Sequence, residues 1–148
     1  MTARRAIEFQ NDGLKPHVLR DSRVDGASSR TIRATYHLNA SGAALANGDT
    51  LYIGTRPKGS IYRGHRITCG VSLGSSTLAI GVAGTTGKYR AAAVFTAVDT
   101  PTSVGLAARL ADDPLADAED MIVTFAAADL PTSDFWLVIE THYSTEND

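Results

Sequence analysis

Residues 31–39, TIRATYHLN, constrain what this chain can fold into more than any other stretch. Ile32, Ala34, Tyr36 and Leu38 alternate with Arg33, Thr35 and His37. Successive side chains on an extended strand point to opposite faces, so this stretch can bury one face and wet the other; a helix of 3.6 residues per turn cannot. The β-branched and aromatic residues favour the same reading. The texture recurs along the chain. TLYIGTR (50–56) turns Leu51 and Ile53 inward and stops at Pro57, after a turn at Asn47-Gly48. IYRGHRITCGVS (61–72) puts Ile61, Arg63, His65, Ile67, Cys69 and Val71 on one parity, with glycines on the other. TLAIGV (77–82) is a short strand, and EDMIVTFAAA (119–128), apolar on both faces, is predicted to be central. DFWLVIETHYS (134–144) closes the pattern, with Phe135, Leu137 and Ile139 opposite Trp136 and Val138.

Two stretches are less decided. In YRAAAVFTAV (89–98) the alanines favour helix, but Val94, Phe95, Thr96 and Val98 favour strand. We read it as a strand with room for a helical turn at its start, ended by Thr100-Pro101. VGLAARLADD (104–113) suits a strand or one to two helical turns. About seven or eight strands at short, turn-punctuated spacing predict an all-β fold: an antiparallel β-sandwich, jelly-roll-like, over residues 31–144. Residues 1–30 carry few apolar side chains and no sustained period, which predicts an extended N-terminal arm. Residues 145–148 read as a short C-terminal tail.

Is the glycine-rich stretch GVAGTTGKYR (81–90) a phosphate cradle? A P-loop needs G-x-x-x-x-G-K-[ST], so that backbone N–H groups wrap the phosphates and a hydroxyl reaches Mg²⁺. Gly87-Lys88 is present, but Val82 stands where the first glycine belongs and Tyr89 where the hydroxyl belongs. AGTTGK therefore reads as a connection between strands, turned by Gly84 and Gly87.

At 148 residues, 43% hydrophobic and 20% charged, the chain can bury one core and is too short for two ordinary domains. Its single cysteine, Cys69, excludes an internal disulfide framework and lies in an apolar run that predicts a buried thiol. No apolar run approaches the roughly 20 residues of a membrane helix. MTARRAIEFQND lacks the apolar segment of a secretion signal, which predicts a protein kept or assembled in a cytoplasm. Charge is unevenly spread: residues 1–66 hold eleven Lys/Arg against five Asp/Glu, and residues 67–148 hold three against eleven. Such separation could steer a partner or cancel inside the fold. No basic run is dense or interleaved with aromatics, so direct nucleic-acid binding is not expected.

The chemistry-bearing residues form no recognisable set. His17, His37, His65 and His142 show no metal-ligand spacing, and no G-x-S-x-G elbow anchors a triad. DDPLADAED (112–120) lacks the EF-hand pattern; it reads as a solvated loop, with another kind of calcium site as the alternative. No catalytic residue, metal or cofactor is predicted. The candidate contact residues are the basic side chains of the arm: Arg4, Arg5, Lys15, Arg20 and Arg23. They suit a phosphate or an acidic protein surface.

The succession of phrases carries more than any single motif. NGDTLYIGTRPKGSIYRGHRI leads to STLAIGVAGTTGKYRAAAVF and then DMIVTFAAADLPTSDFWLVIETHY. In its turn at Asn47-Gly48, its TLAIGV strand, the Lys88-Tyr89 pair, the alanine stretch and the closing LVIETHY, the chain resembles small tailed-phage virion proteins encoded beside the major capsid protein. The likeness spans residues 45–143, about two-thirds of the sequence. It implies a capsid decoration, or head-stabilising, subunit with a jelly-roll-type sandwich. The expected partner is the major capsid protein, the expected oligomer a homotrimer, and the expected place the capsid surface of a virion assembled in the host cytoplasm. The first 30 residues match nothing in that pattern. Other readings of the same sandwich are a tail, fibre-base or head-completion protein, or a carbohydrate-binding module using Tyr52, Tyr62, Trp136 and Tyr143.

Overall fold

The computed structural model describes residues 28–38 and 45–145. Eight strands follow in order: β1 (Ser28–Leu38), β2 (Thr50–Arg56), β3 (Ile61–Cys69), β4 (Thr77–Val82), β5 (Thr85–Val94), β6 (Thr102–Val104), β7 (Glu119–Ala126) and β8 (Phe135–Thr145). One 3₁₀ turn, Ala107–Ala111, lies between β6 and β7. The strands form two antiparallel four-stranded sheets, ordered β1-β8-β3-β6 and β2-β7-β4-β5.

That order has a simple origin. β4 pairs with β5, β3 with β6, β2 with β7 and β1 with β8, so the chain is one long ribbon doubled back on itself. Rolling the ribbon brings β8 beside β3 and β7 beside β4, which splits it into two sheets. This is the eight-stranded jelly roll. The core lies between the sheets, built from Ile53, Ile67, Leu78, Ile80, Met121, Val123, Phe125, Leu137 and Ile139. Strand β8 alternates as its sequence predicts: Phe135, Leu137 and Ile139 are buried, and Trp136 and Val138 are half-buried on the outer face. Strand β7 is central, flanked by β2 and β4. Cys69 is fully buried, and burial raises its thiol pKa, so it behaves as a small apolar side chain.

Both open flanks of the sandwich are closed. On one, the Tyr36 hydroxyl of β1 donates to the Tyr52 carbonyl of β2. On the other, the Leu106 N–H donates to the Tyr89 carbonyl at 2.7 Å.

Several expectations are corrected. The turn in GVAGTTGKYR is only Ala83-Gly84; Thr85 already belongs to β5, and Gly87 lies within that strand. No helical turn begins at Tyr89: the run is strand to Val94. The stretch 104–113 is divided between the end of β6, too short and polar to show a period, and the five-residue 3₁₀ turn. The single parity assigned to 61–71 is broken by a bulge between Tyr62 and Gly64. Ile61 and Tyr62 are both buried in consequence, Arg63 faces solvent, and His65, Ile67 and Cys69 return inward.

Candidate functional site

The same irregularity builds the most polar part of the interior. β2 carries a matching bulge between Tyr52 and Gly54, and the glycine at each bulge has φ of +124°. Only glycine adopts that conformation readily. On β2 the bulge flips the phase after Ile53 and drives Arg56 inward, to 2% exposure. On β3 it turns Tyr62 and His65 inward together.

These side chains meet Tyr89 of β5 and Glu119 of β7. Arg56 donates from Nη1 to the Tyr89 hydroxyl at 2.6 Å and from Nη2 to the Ser60 carbonyl at 3.1 Å. Its Nη1 is 3.6 Å from Glu119 Oε1, and Lys88 Nζ bonds the other carboxylate oxygen. The guanidinium carbon lies 5.5 Å from the Tyr62 ring centre and 5.4 Å from that of Tyr89, within cation–π range. Tyr62 and Tyr89 pack with centres 4.7 Å apart, and the Tyr62 hydroxyl is 2.6 Å from His65 Nδ1. Burial raises the pKa of the Tyr62 phenol, against the pull of Arg56. Burial, then the charges of Arg56 and His142, hold His65 at about 3. His65 is therefore a neutral imidazole and Tyr62 a protonated phenol at ordinary pH; neither is poised to move a proton. Arg56 Nε, Ser60 Oγ, His65 Nε2, Glu119 Oε1 and Thr141 Oγ1 are buried in the same region without a hydrogen-bond partner. The arrangement braces the two sheets from within through its hydrogen bonds and ring contacts.

His65 makes stability depend on pH, and the sign follows from its lowered value. The unfolded chain takes up a proton near 6.5 that the native chain refuses until about 3. Its contribution is complete above pH 6.5 and is lost as pH falls through that window. Between pH 7 and 4.5 this amounts to roughly 2–3 kcal/mol. Urea unfolding at pH 7, 5.5 and 4.5 should show it, and His65→Gln should flatten the slope. An equal slope in both proteins would refute the assignment.

Beside the brace is a surface hollow of about 330 Å³. It exists because β6 covers β3 only from Ile67 to His65 and stops at Val104. The chain then turns at Gly105 into the 3₁₀ turn, leaving Gly64 without a strand on the β6 side. The Gly64 backbone forms part of the wall, a Cβ there would meet nothing within 4 Å, and His142 lies opposite it in register on β8. Val104, Leu106 and Leu110 face it from the other side.

Arg4, Arg5, Lys15, Arg20, Arg23 and His17 lie outside the described residues. Other candidates are dispersed. Tyr62 and Tyr143 are buried, Trp136 lies against Gly70 on one sheet, and Tyr52 is exposed on the other, so the four aromatics share no platform for a sugar. In the acidic run, Asp112 pairs with Arg109 at 3.0 Å, Glu119 with Lys88 and Arg56, and Asp120 accepts from Thr55. Among the described residues no three His, Cys, Asp or Glu side chains come together as a metal site. His37 is exposed, and His142 shares a 3.0 Å hydrogen bond with Thr31. Part of the charge asymmetry cancels within the fold, through Arg56 with Glu119 and Arg66 with Glu140. The brace was not foreseen from sequence, because the parity of β2 points Arg56 outward; Gly54 inside the strand was the only sign of a flip.

The class defined by these features is an eight-stranded jelly roll with a polar cluster buried between its sheets. No protein-family model matches the chain, and no curated protein sequence does. Among solved structures, its fold is similar to that of a chain in the capsid of Ralstonia phage GP4, with a TM-score of 0.60 at 14% identity over 95% of this chain and 97% of that one. A chain in the acidic stable capsid structure of Helicobacter pylori bacteriophage KHP30 gives 0.58 at 12% identity, over 82% and 91%. One in the capsid asymmetric unit of cyanophage Pam1 gives 0.55 at 13%, over 80% and 86%. At such identities the likeness is one of fold. Each alignment takes in most of both chains, so the matched subunits are about the size of this one.

Proposed function

We propose that this chain is a structural protein of a phage virion that binds the outside of the capsid and stabilises the assembled shell by bridging its subunits. The observation that carries the reading is the fold match, over most of both chains, to subunits of this size in three phage capsid structures. The succession of phrases in residues 45–143 supports it independently. The action is physical: a subunit that binds the assembled lattice but not free shell protein shifts the equilibrium toward the intact particle. A specific contact buries roughly 1,200–2,000 Å², and many copies multiply modest affinities. The partner is the major capsid protein, and the subunit acts as a homotrimer without catalysis. The basic residues Arg4, Arg5, Lys15, Arg20 and Arg23 anchor the arm on an acidic patch of the shell.

Gold labelling of an epitope-tagged copy on purified particles tests the location. Label over the capsid surface is expected; label confined to the tail or the head–tail joint would replace this reading with a tail, fibre-base or head-completion role. Deleting residues 1–27 should lower capsid binding at least tenfold while leaving the unfolding transition within a few degrees. Unchanged binding would remove the arm from the interface.

A further inference from the structure

The corner where β2 begins is clamped by hydrogen bonds that the shell-binding reading does not use. Its tip is Asn47-Gly48, closed by the Asp49 N–H donating to the Ala46 carbonyl at 3.1 Å, with Gly48 at φ +95°. Two carboxylates accept from the backbone of this turn. Asp49 Oδ2 takes the Ala46 N–H at 2.8 Å, and Asp129 Oδ1 takes the Asn47 N–H at 2.9 Å. The Gly48 N–H donates to the Phe125 carbonyl of β7 at 2.8 Å, and the Phe125 N–H donates to the Asp49 carbonyl at 3.0 Å.

Of the four asparagines, Asn11, Asn39, Asn47 and Asn147, only Asn47 precedes a glycine. That neighbour matters chemically. With no Cβ beside it, a glycine nitrogen is open to approach and its backbone turns freely. It can attack the Asn47 side-chain carbonyl carbon: the Gly48 nitrogen gives up its proton, the N–Cγ bond forms, the Cγ–NH₂ bond breaks and ammonia leaves. Water then opens the five-membered imide at either carbonyl, giving aspartate or isoaspartate. Asn47 and Gly48 are both exposed, so water and base reach them. The bond to Phe125 restrains the reaction, because it holds the proton that must leave.

We propose that Asn47 is a site of spontaneous conversion to isoaspartate and aspartate, and that Asp49 and Asp129 set its rate by keeping the turn clamped to β7. Each product loosens the clamp. Aspartate adds a third carboxylate to a turn already held by two, and isoaspartate adds a methylene to the main chain where β2 is set against β7. The change is one-way, and it belongs to the chain whatever its place in a virion.

The test follows the full chain in mildly alkaline buffer by peptide mass spectrometry, which reads the replacement of NH₂ by OH. The free peptide ALANGDTLY (44–52) is the reference. Asn47 is expected to convert roughly tenfold more slowly in the folded chain, the protection given by an opening free energy of about 1.4 kcal/mol. Asp129→Ala should raise the rate roughly threefold or more, the effect of losing one exposed hydrogen bond to a carboxylate. Asp129→Asn keeps an acceptor oxygen and should stay near the native rate. Hydrogen exchange of the Gly48 amide, read by NMR on the same variants, should quicken in the same order, while exchange at Ile67 in the core stays unchanged. Equal rates in chain and peptide, or conversion confined to other asparagines, would overturn the proposal. So would a rate at Asn47 that stays still while Gly48 exchange quickens, or a matching rise at Ile67, which would assign the effect to general unfolding.

Discussion

Replacing Gly81 with alanine is expected to destabilise the fold by about 3 kcal/mol or more, near the upper end for overpacking. A Cβ at this position would stand 2.2 Å from the Thr85 carbonyl oxygen and 2.5 Å from the backbone of Thr86. Those are main-chain atoms of β5, so no rotamer change relieves the clash. The closeness comes from the register of the hairpin. Ile80 pairs with Arg90 and Val82 with Thr85, so the four residues from Thr86 to Tyr89 arch past the single residue Gly81. Pushing the arch away would carry Tyr89 off Arg56 and Lys88 off Glu119. Gly87 in the same arch is the control: a Cβ there meets its nearest neighbour at an ordinary 3.5 Å. Gly87→Ala should change stability by less than about 1 kcal/mol. Urea denaturation of both variants decides the matter, and equal effects would sink the argument.

Arg56→Met should be comparably severe, with a loss of about 3–5 kcal/mol, because it removes one partner from a buried ionic contact. The Tyr89 hydroxyl and the Ser60 carbonyl lose their donor, and Glu119 keeps only Lys88. A fall in Tm of roughly 10–20 °C is the expected readout. Arg56→Lys should recover little, since an ammonium cannot reach two acceptors in a fork or lie flat against the Tyr62 and Tyr89 rings. Adding Glu119→Gln to Arg56→Met should give a double variant more stable than the two single losses predict together. Strict additivity would show that the contact contributes nothing as a pair.

The sequence was informative wherever a strand kept one phase. β1, β4 and β8 were read nearly to their ends, although β1 begins at Ser28 and β8 runs to Thr145. The central place of β7 followed from its two apolar faces. Legibility failed at the bulges. Alternation assumes that every residue advances the strand equally, and at Gly54 and Gly64 it does not, so strict parity opposes Arg56 to the inward Leu51 and Ile53 and groups Arg63 with Ile61 and Ile67. β6 was missed because three residues, TSV, cannot display a period. The hollow was invisible for a related reason: it depends on where β6 stops against β3, a long-range fact. The basic arm residues, the clearest sequence candidates for contact, lie outside the described residues and stand as a proposal.

The doubled-ribbon topology also governs the order in which the molecule can be made. β8 lies between β1 and β3, so the first sheet has no middle until the last eleven strand residues have left the ribosome. β1 must wait for a partner about a hundred residues downstream, which makes for a slow fold dominated by distant contacts. During synthesis the unpaired edges of β1 and β3 are open to the wrong strands. A chain cut short before Phe135 would therefore keep only the short β3–β6 pairing of that sheet, and such fragments should aggregate rather than accumulate as a smaller folded domain.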